Sequence, residues 1–314
     1  MRPLVRHRNV GFLLMSLALF FVGPVRAQQK CPVVAIRKAR QAHNIFSAQQ
    51  ELDLAEIEAE LLEESYQVIP DTGFAEHVTA INNSLLSTLP ARSADIRIVL
   101  IDTPEAGAFS AGPSRIYITR KMIGMLRSDD ELAGLLGHEL AHTLTHENAI
   151  VVSQVFQEFL DVSTVGDRTD IADKFTRMLN STGWNTRALQ STAQSRQREE
   201  QAQYEADRFA LYAMAAAGFS PRAYGQFFDR IAATHGRRGN LLTDLFGITT
   251  PHERRLRQIH KSLHSLPKAY RDLPCPPPST EFLAWQVEVT SRVGLNSPKG
   301  DPSESVPNST PPAR

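Results

Sequence analysis
The pentapeptide His138-Glu139-Leu140-Ala141-His142 constrains this chain more than any other stretch. Two histidines four places apart act on one point only if the backbone between them is helical, because positions i and i+4 then lie one above the other. Glu139 projects about 100° round the same helix, beside that point. The flanking residues support a helix: Ser128 is an N-cap residue, and Glu131 stands three places on, as in a capping box. Leu132, Leu135, Leu136, Leu140 and Leu144 recur at helical spacing, so the histidines belong near a buried face. Buried imidazoles and a buried carboxylate are costly without partners. Zinc is the expected partner, since it takes His nitrogens at roughly 2.0–2.1 Å and carries a water at an open position. The same spacing also arises by chance on solvated helix faces, but the leucine stripe argues against that reading here. His138 and His142 are therefore candidate zinc ligands, and Glu139 a candidate general base for amide hydrolysis.

The N-terminus reads as a secretory signal. Arg2, Arg6 and Arg8 precede an apolar run from Val10 to Gly23, and Val25-Arg26-Ala27 offers small residues for cleavage after Ala27. That run is shorter than the roughly 20 residues of a spanning helix, so no stable membrane insertion is expected after cleavage. The expected location is the periplasm or the exterior. The whole chain carries 34 basic and 34 acidic residues; without residues 1–27 the basic count is 30, a formal charge of −4. Such a balance does not point to nucleic acid or an anionic membrane. The two cysteines, Cys31 and Cys275, either pair in an oxidising compartment or stay as unrelated thiols.

Four segments follow from patterning: the signal peptide 1–27, a catalytic domain 28–270, a Pro-rich linker with a last helix at 271–295, and a tail at 296–314 expected to be disordered. Residues 37–66, with Ile45, Leu54, Ile57 and Leu61 among many acids, predict one long amphipathic helix. Helices are also predicted at 74–89, 120–127, 151–160, 171–179, 186–217, from Pro221 to about His235, and from Pro251 to about Leu266. Asp95–Asp102, Ala108–Ser110 and Arg115–Thr119 predict strands of a small antiparallel sheet beside the motif helix. The fold class is α+β and mainly α. Residues 148–183 read either as a lid or as ordinary packing.

Two histidines make a poor zinc site, so a third ligand is expected from a later helix, and 186–217 carries Glu199, Glu200, Gln203, Glu205 and Asp207. With Ser128-Asp129-Asp130-Glu131-Leu132-Ala133, the pentapeptide, Ser195-Arg196 and Tyr204-Glu205-Ala206-Asp207-Arg208, the chain resembles the M48 family of zinc metallopeptidases. The likeness is to its soluble periplasmic branch. It covers roughly residues 40–265. It implies a zincin-like core, a zinc cofactor, unfolded or extended protein substrates lying along an edge strand near Phe109, and cleavage of misfolded or unassembled envelope proteins. It also implies that Asp207 orients a ligating histidine and that the residue four places before it is the third ligand. In such sequences that residue is Glu; here it is Gln203. Glu205 is the alternative, but it stands about 160° round the helix from Asp207, which favours Gln203. A family histidine before the last core helix is replaced by Thr250, and His252 falls two places later as a further candidate. These departures leave open a second reading, a degenerate member with weak or absent metal that binds client proteins without cutting them.

Overall fold
The computed structural model describes residues 44–70, 75–89, 96–103, 106–180, 193–233 and 253–291. All of them belong to one compact unit, Cys31–Arg314; the expected signal peptide, Cys31, His252 and the C-terminal tail lie outside the described residues.

The order of elements is α1 (Ala48–Ser65), β1 (Gln67–Val68), α2 (Ala75–Leu86), β2 (Arg97–Asp102), β3 (Ala108–Ala111), β4 (Arg115–Thr119), α3 (Arg120–Met125), α4 (Asp129–Leu144), α5 (Glu147–Leu160), α6 (Arg168–Asn180), α7 (Ala193–Ala217), α8 (Pro221–Ala233), α9 (Glu253–Ser265), α10 (Lys268–Arg271) and α11 (Thr280–Ser291). The fold is thus α+β and mainly α, as the patterning predicts. The first helix starts at Ala48, well after residue 37, because Ser47 and Gln50 close a reciprocal capping box there. Before it, the Ile45 N–H is held by Ser153 Oγ at 3.0 Å and Phe46 is buried.

The sheet has the order β1-β2-β4-β3 and is mixed, not wholly antiparallel. The β3–β4 hairpin, turning at Gly112, lays β4 beside β2 in parallel register, Arg97 opposite Arg115 and Ile101 opposite Thr119. Only residues 103–107 join β2 to β3, so β3 starts where β2 ends and runs back, and β4, reversing again, is parallel to β2. β3 is left at the edge. Alternation sorts the faces: Ile98, Leu100, Ile116 and Ile118 pack toward α4, while Val99, Ile101, Phe109 and Tyr117 pack with Leu62 of α1.

The centre of the molecule is α4, buried almost throughout from Asp130 to Thr143. Two glycines let its neighbours close in. A Cβ on Gly134 would sit 2.4 Å from Tyr224 Cδ2 of α8, and one on Gly137 would sit 3.2 Å from the Ala210 Cα of α7. Each glycine costs about 0.5–1 kcal/mol of helix propensity; what it gives is the inter-helix distance on which the site depends. α7 ends in a Schellman motif: Gly218 takes φ +90°, with Phe219 N–H to Met214 O at 2.9 Å and Gly218 N–H to Ala215 O at 3.3 Å.

α5 and α6 join α1 around a second core of Leu54, Phe156, Ile171, Phe175 and Met178, so both predicted helices of 148–183 are packed elements. α11 is packed as well: Phe282, Trp285 and Val289 are buried, and Gln286 Nε2 donates to the Ile123 and Leu126 carbonyls at 2.8 and 2.7 Å. No helix among the described residues is long and apolar enough to cross a membrane.

Candidate active site
Ser128 caps α4 as its sequence predicts, with Oγ accepting the Glu131 N–H at 3.3 Å. The reciprocal half of the capping box is replaced. Glu131 instead accepts the Arg127 N–H at 2.8 Å and pairs with Arg230 of α8 at 2.6 and 2.8 Å, because that guanidinium is the stronger partner.

From this start, α4 delivers His138 and His142 on one face, one turn apart. Their Nε2 atoms are 3.0 Å apart and both rings are buried. Burial lowers the pKa of both, with His138 itself adding to the fall at His142, so both imidazoles are neutral near pH 7. Asp207 Oδ1 of α7 lies 2.9 Å from His138 Nδ1. That contact assigns the proton to Nδ1 and puts the lone pair on Nε2.

The same carboxylate gathers more of the site. Arg255 of α9 gives it two bonds, Nε to Oδ2 at 2.9 Å and Nη2 to Oδ1 at 2.8 Å. Tyr224 donates its hydroxyl to Asp207 Oδ1 at 2.7 Å and lies 3.1 Å from His138 Nδ1. Burial by itself would raise the Asp207 pKa, yet the Arg255 charge and these hydrogen bonds hold it well below the usual carboxylate range. Arg255 is fixed further by stacking over the Phe228 ring at 4.7 Å, and its Nη2 comes within 3.4 Å of His138 Nε2.

Glu139 projects toward β3, where its carboxyl accepts the Ser110 backbone N–H; burial pushes its pKa up to about 8 against the pull of Arg255 and that bond. The edge strand and the candidate base are therefore in direct contact. Phe109, one place earlier, turns the other way: its side chain is buried and stacks on Tyr117 at 5.3 Å, so only the strand's backbone is offered at the edge.

Of the two candidates for a third donor, Gln203 Nε2 lies 3.3 Å from His142 Nε2, while Glu205 bonds Gln201 at 3.0 Å on an exposed stretch of α7. Among the described residues, no three His, Cys, Asp or Glu side chains converge on one point. The donor set is two imidazoles and one amide. The imidazole pair comes close to a metal's geometry: one ion at roughly 2.0–2.1 Å from each nitrogen with a tetrahedral angle needs them about 3.3 Å apart, and the Nε2 pair is 3.0 Å apart. Gln203 presents its Nε2 to His142, so its amide must turn over to offer the oxygen, a weaker donor than a carboxylate.

Sequence reading did not find Tyr224, Arg255 or the Ser110 N–H. Tyr224 sits in an aromatic stripe with Phe227 and Phe228 and looks like core. Arg255 left a signal: it occupies the i−4 position of the stripe formed by Ile259 and Leu263, a charge on the buried face of its helix.

Comparison with known proteins agrees with this arrangement. The peptidase family M48 model matches residues 75–262. The beta-barrel assembly-enhancing protease of Yersinia pestis is 22% identical over 191 residues, which take in 60% of this chain and 38% of that protein. The chain thus aligns with well under half of that relative's length. Since the match takes in more than half of the sequence, α4 and α7 included, the chain belongs to peptidase family M48, a family of metallopeptidases.

Proposed function
We propose that this chain is a zinc-dependent endopeptidase of the cell envelope that cuts misfolded or unassembled proteins, with Glu139 as general base. The single observation behind this reading is the convergence of the two Nε2 atoms, 3.0 Å apart, on α4 whose Glu139 touches the edge strand. His138, His142 and Gln203 would hold zinc. When bound, zinc supplies Lewis acidity, polarising the scissile carbonyl and lowering the pKa of water to about 7.

The chain's own residues do the rest. Asp207 and Tyr224 clamp His138 in one orientation and one tautomer. A substrate in extended form adds to β3 by backbone hydrogen bonds, which suits unfolded segments and asks little of their sequence. Its scissile bond then lies beside Glu139. Glu139, its pKa pulled back down by a cation that the two histidines hold, takes the proton from the attacking water on a carboxylate oxygen and passes it to the leaving amine nitrogen. The envelope location rests on the signal-like N-terminus and on the kind of protein that the Yersinia relative is named for.

A second reading follows from the amide at position 203, which leaves the site without a carboxylate donor: a member that binds clients and does not cut them. One experiment separates the two. Purified protein is expected to carry one zinc per chain and to cleave casein, with Glu139→Gln retaining the metal and losing roughly 10²–10⁴-fold in rate. Metal-free protein that binds unfolded chains and leaves them intact supports the second reading and overturns the first.

A further inference from the structure
Away from the site, α1 buries a carboxyl group that the hydrolytic chemistry does not use. Glu58 of α1 is wholly buried, bonded to Asn148 of α5 and close to Tyr117 of the sheet. Its Oε1 accepts from Asn148 Nδ2 at 3.1 Å. Glu58 Oε2 and Asn148 Oδ1 are both buried and both lack a hydrogen-bond partner. Two unmatched acceptors on the two ends of one bonded pair are mutually repulsive if the acid is ionised. They become complementary if it carries a proton, since Oε2–H then donates to Oδ1.

We propose that Glu58 is a neutral acid closing a two-hydrogen-bond ring with the Asn148 carboxamide, and that this ring latches α1 to the start of α5 and releases it when Glu58 ionises in alkali. The surroundings favour the neutral form. Burial pushes the Glu58 pKa up to about 8, and the Asn148 bond offsets this only partly. Among the described residues no cation is bonded to Glu58, although the Arg115 Nε is buried without a partner. Arg115 of β4 is engaged by Glu56 in two bonds of 2.8 and 3.0 Å. Glu51 on α1 binds Asn44 and His146, each at 2.6 Å. Tyr117 of β4 lies within reach of Glu58, Glu63, Arg97 and Arg115, but Glu58 itself feels burial and the Asn148 bond, with no arginine charge lowering it.

Position gives the latch its reach. Asn148 is the second residue of α5, and only Thr145 and His146 separate that helix from α4, whose last turn carries His142. His146 takes φ 59°, a left-handed conformation at the joint between the two helices. An ionised Glu58 repels Asn148 Oδ1 and draws water in between α1 and α5, which frees the α5 end of this joint.

The sign is fixed by linkage. A carboxyl whose folded pKa lies above its unfolded value near 4.5 costs no stability below 4.5 and loses stability as pH rises toward 8. Glu58→Gln keeps the ring, as an amide pair, and removes the titration. Relative to this variant, the wild-type folding constant should fall by up to about tenfold per pH unit between pH 5 and 8 and level off above. α5 amides of the wild type should exchange faster near pH 9, once corrected for intrinsic rate, and those of Glu58→Gln should not. Asn148→Leu removes the ring while keeping the bulk, and should unfold more readily than the wild type already near pH 6. Parallel pH profiles for wild type and Glu58→Gln, or an Asn148→Leu variant as stable as the wild type near pH 6, overturn the proposal. These readouts do not depend on peptidase activity, so their failure is distinct from failure of the proposed function.

Discussion

The molecule buries carboxyl groups in two regions and treats them in opposite ways. At the site, Asp207 meets Arg255 twice, Tyr224 once and His138 once, and stays ionised. Under α1, Glu58 meets one amide and is pushed toward its neutral form. Both side chains are almost wholly shielded from water. Burial therefore does not decide charge; the partners do. A fixed anion suits the site, where it must hold an imidazole in one tautomer. A neutral acid suits a packing layer, where it becomes sensitive to pH.

The hardest blow to this contrast is Asp207→Ala. It strips Arg255 of its counter-charge inside the core and should cost about 3–5 kcal/mol, measured by denaturant unfolding. Pairing it with Arg255→Met should recover much of that loss, because no uncompensated charge then remains. Recovery of stability without recovery of casein cleavage would separate the structural from the orienting work of the pair. Less damage is expected from Gly134→Ala. The new methyl meets Tyr224 Cδ2 at 2.4 Å, so the ring must shift and its hydroxyl leave Asp207. Overpacking of this kind costs about 1–3 kcal/mol, and zinc content together with unfolding would report both consequences. Smallest in stability is Gln203→Glu, which adds a carboxylate 3.3 Å from His142 Nε2. It should tighten zinc retention roughly tenfold, equivalent to about 1.4 kcal/mol. Unchanged affinity in a chelator competition would remove Gln203 from the donor set.

Legibility in the sequence differed between parts of the site for a physical reason. The α4 residues were readable because their geometry is local: His138, Glu139 and His142 are arranged by one helix, whatever surrounds it. Gln203 and Asp207 were readable only through a family likeness, since nothing in the spacing of α7 says which face meets α4. Tyr224 and Arg255 come from α8 and α9 and are brought in by packing alone. β3 was readable as a strand, but its contact with Glu139 was not, and the sheet proved mixed because β4 inserts between β2 and β3.

The sequence by itself determined the helix that carries the two histidines, its Ser128 cap, the Gly218 stop of α7 and the mainly helical class, because each depends on neighbours within a turn or two. Only the tertiary structure decided that Asp207, Tyr224 and Arg255 meet at His138, that the Ser110 N–H reaches Glu139, and that Glu58 faces Asn148 across 90 residues of chain. Such contacts depend on how closely elements approach, and around His138 two glycines of α4 let α7 and α8 close in.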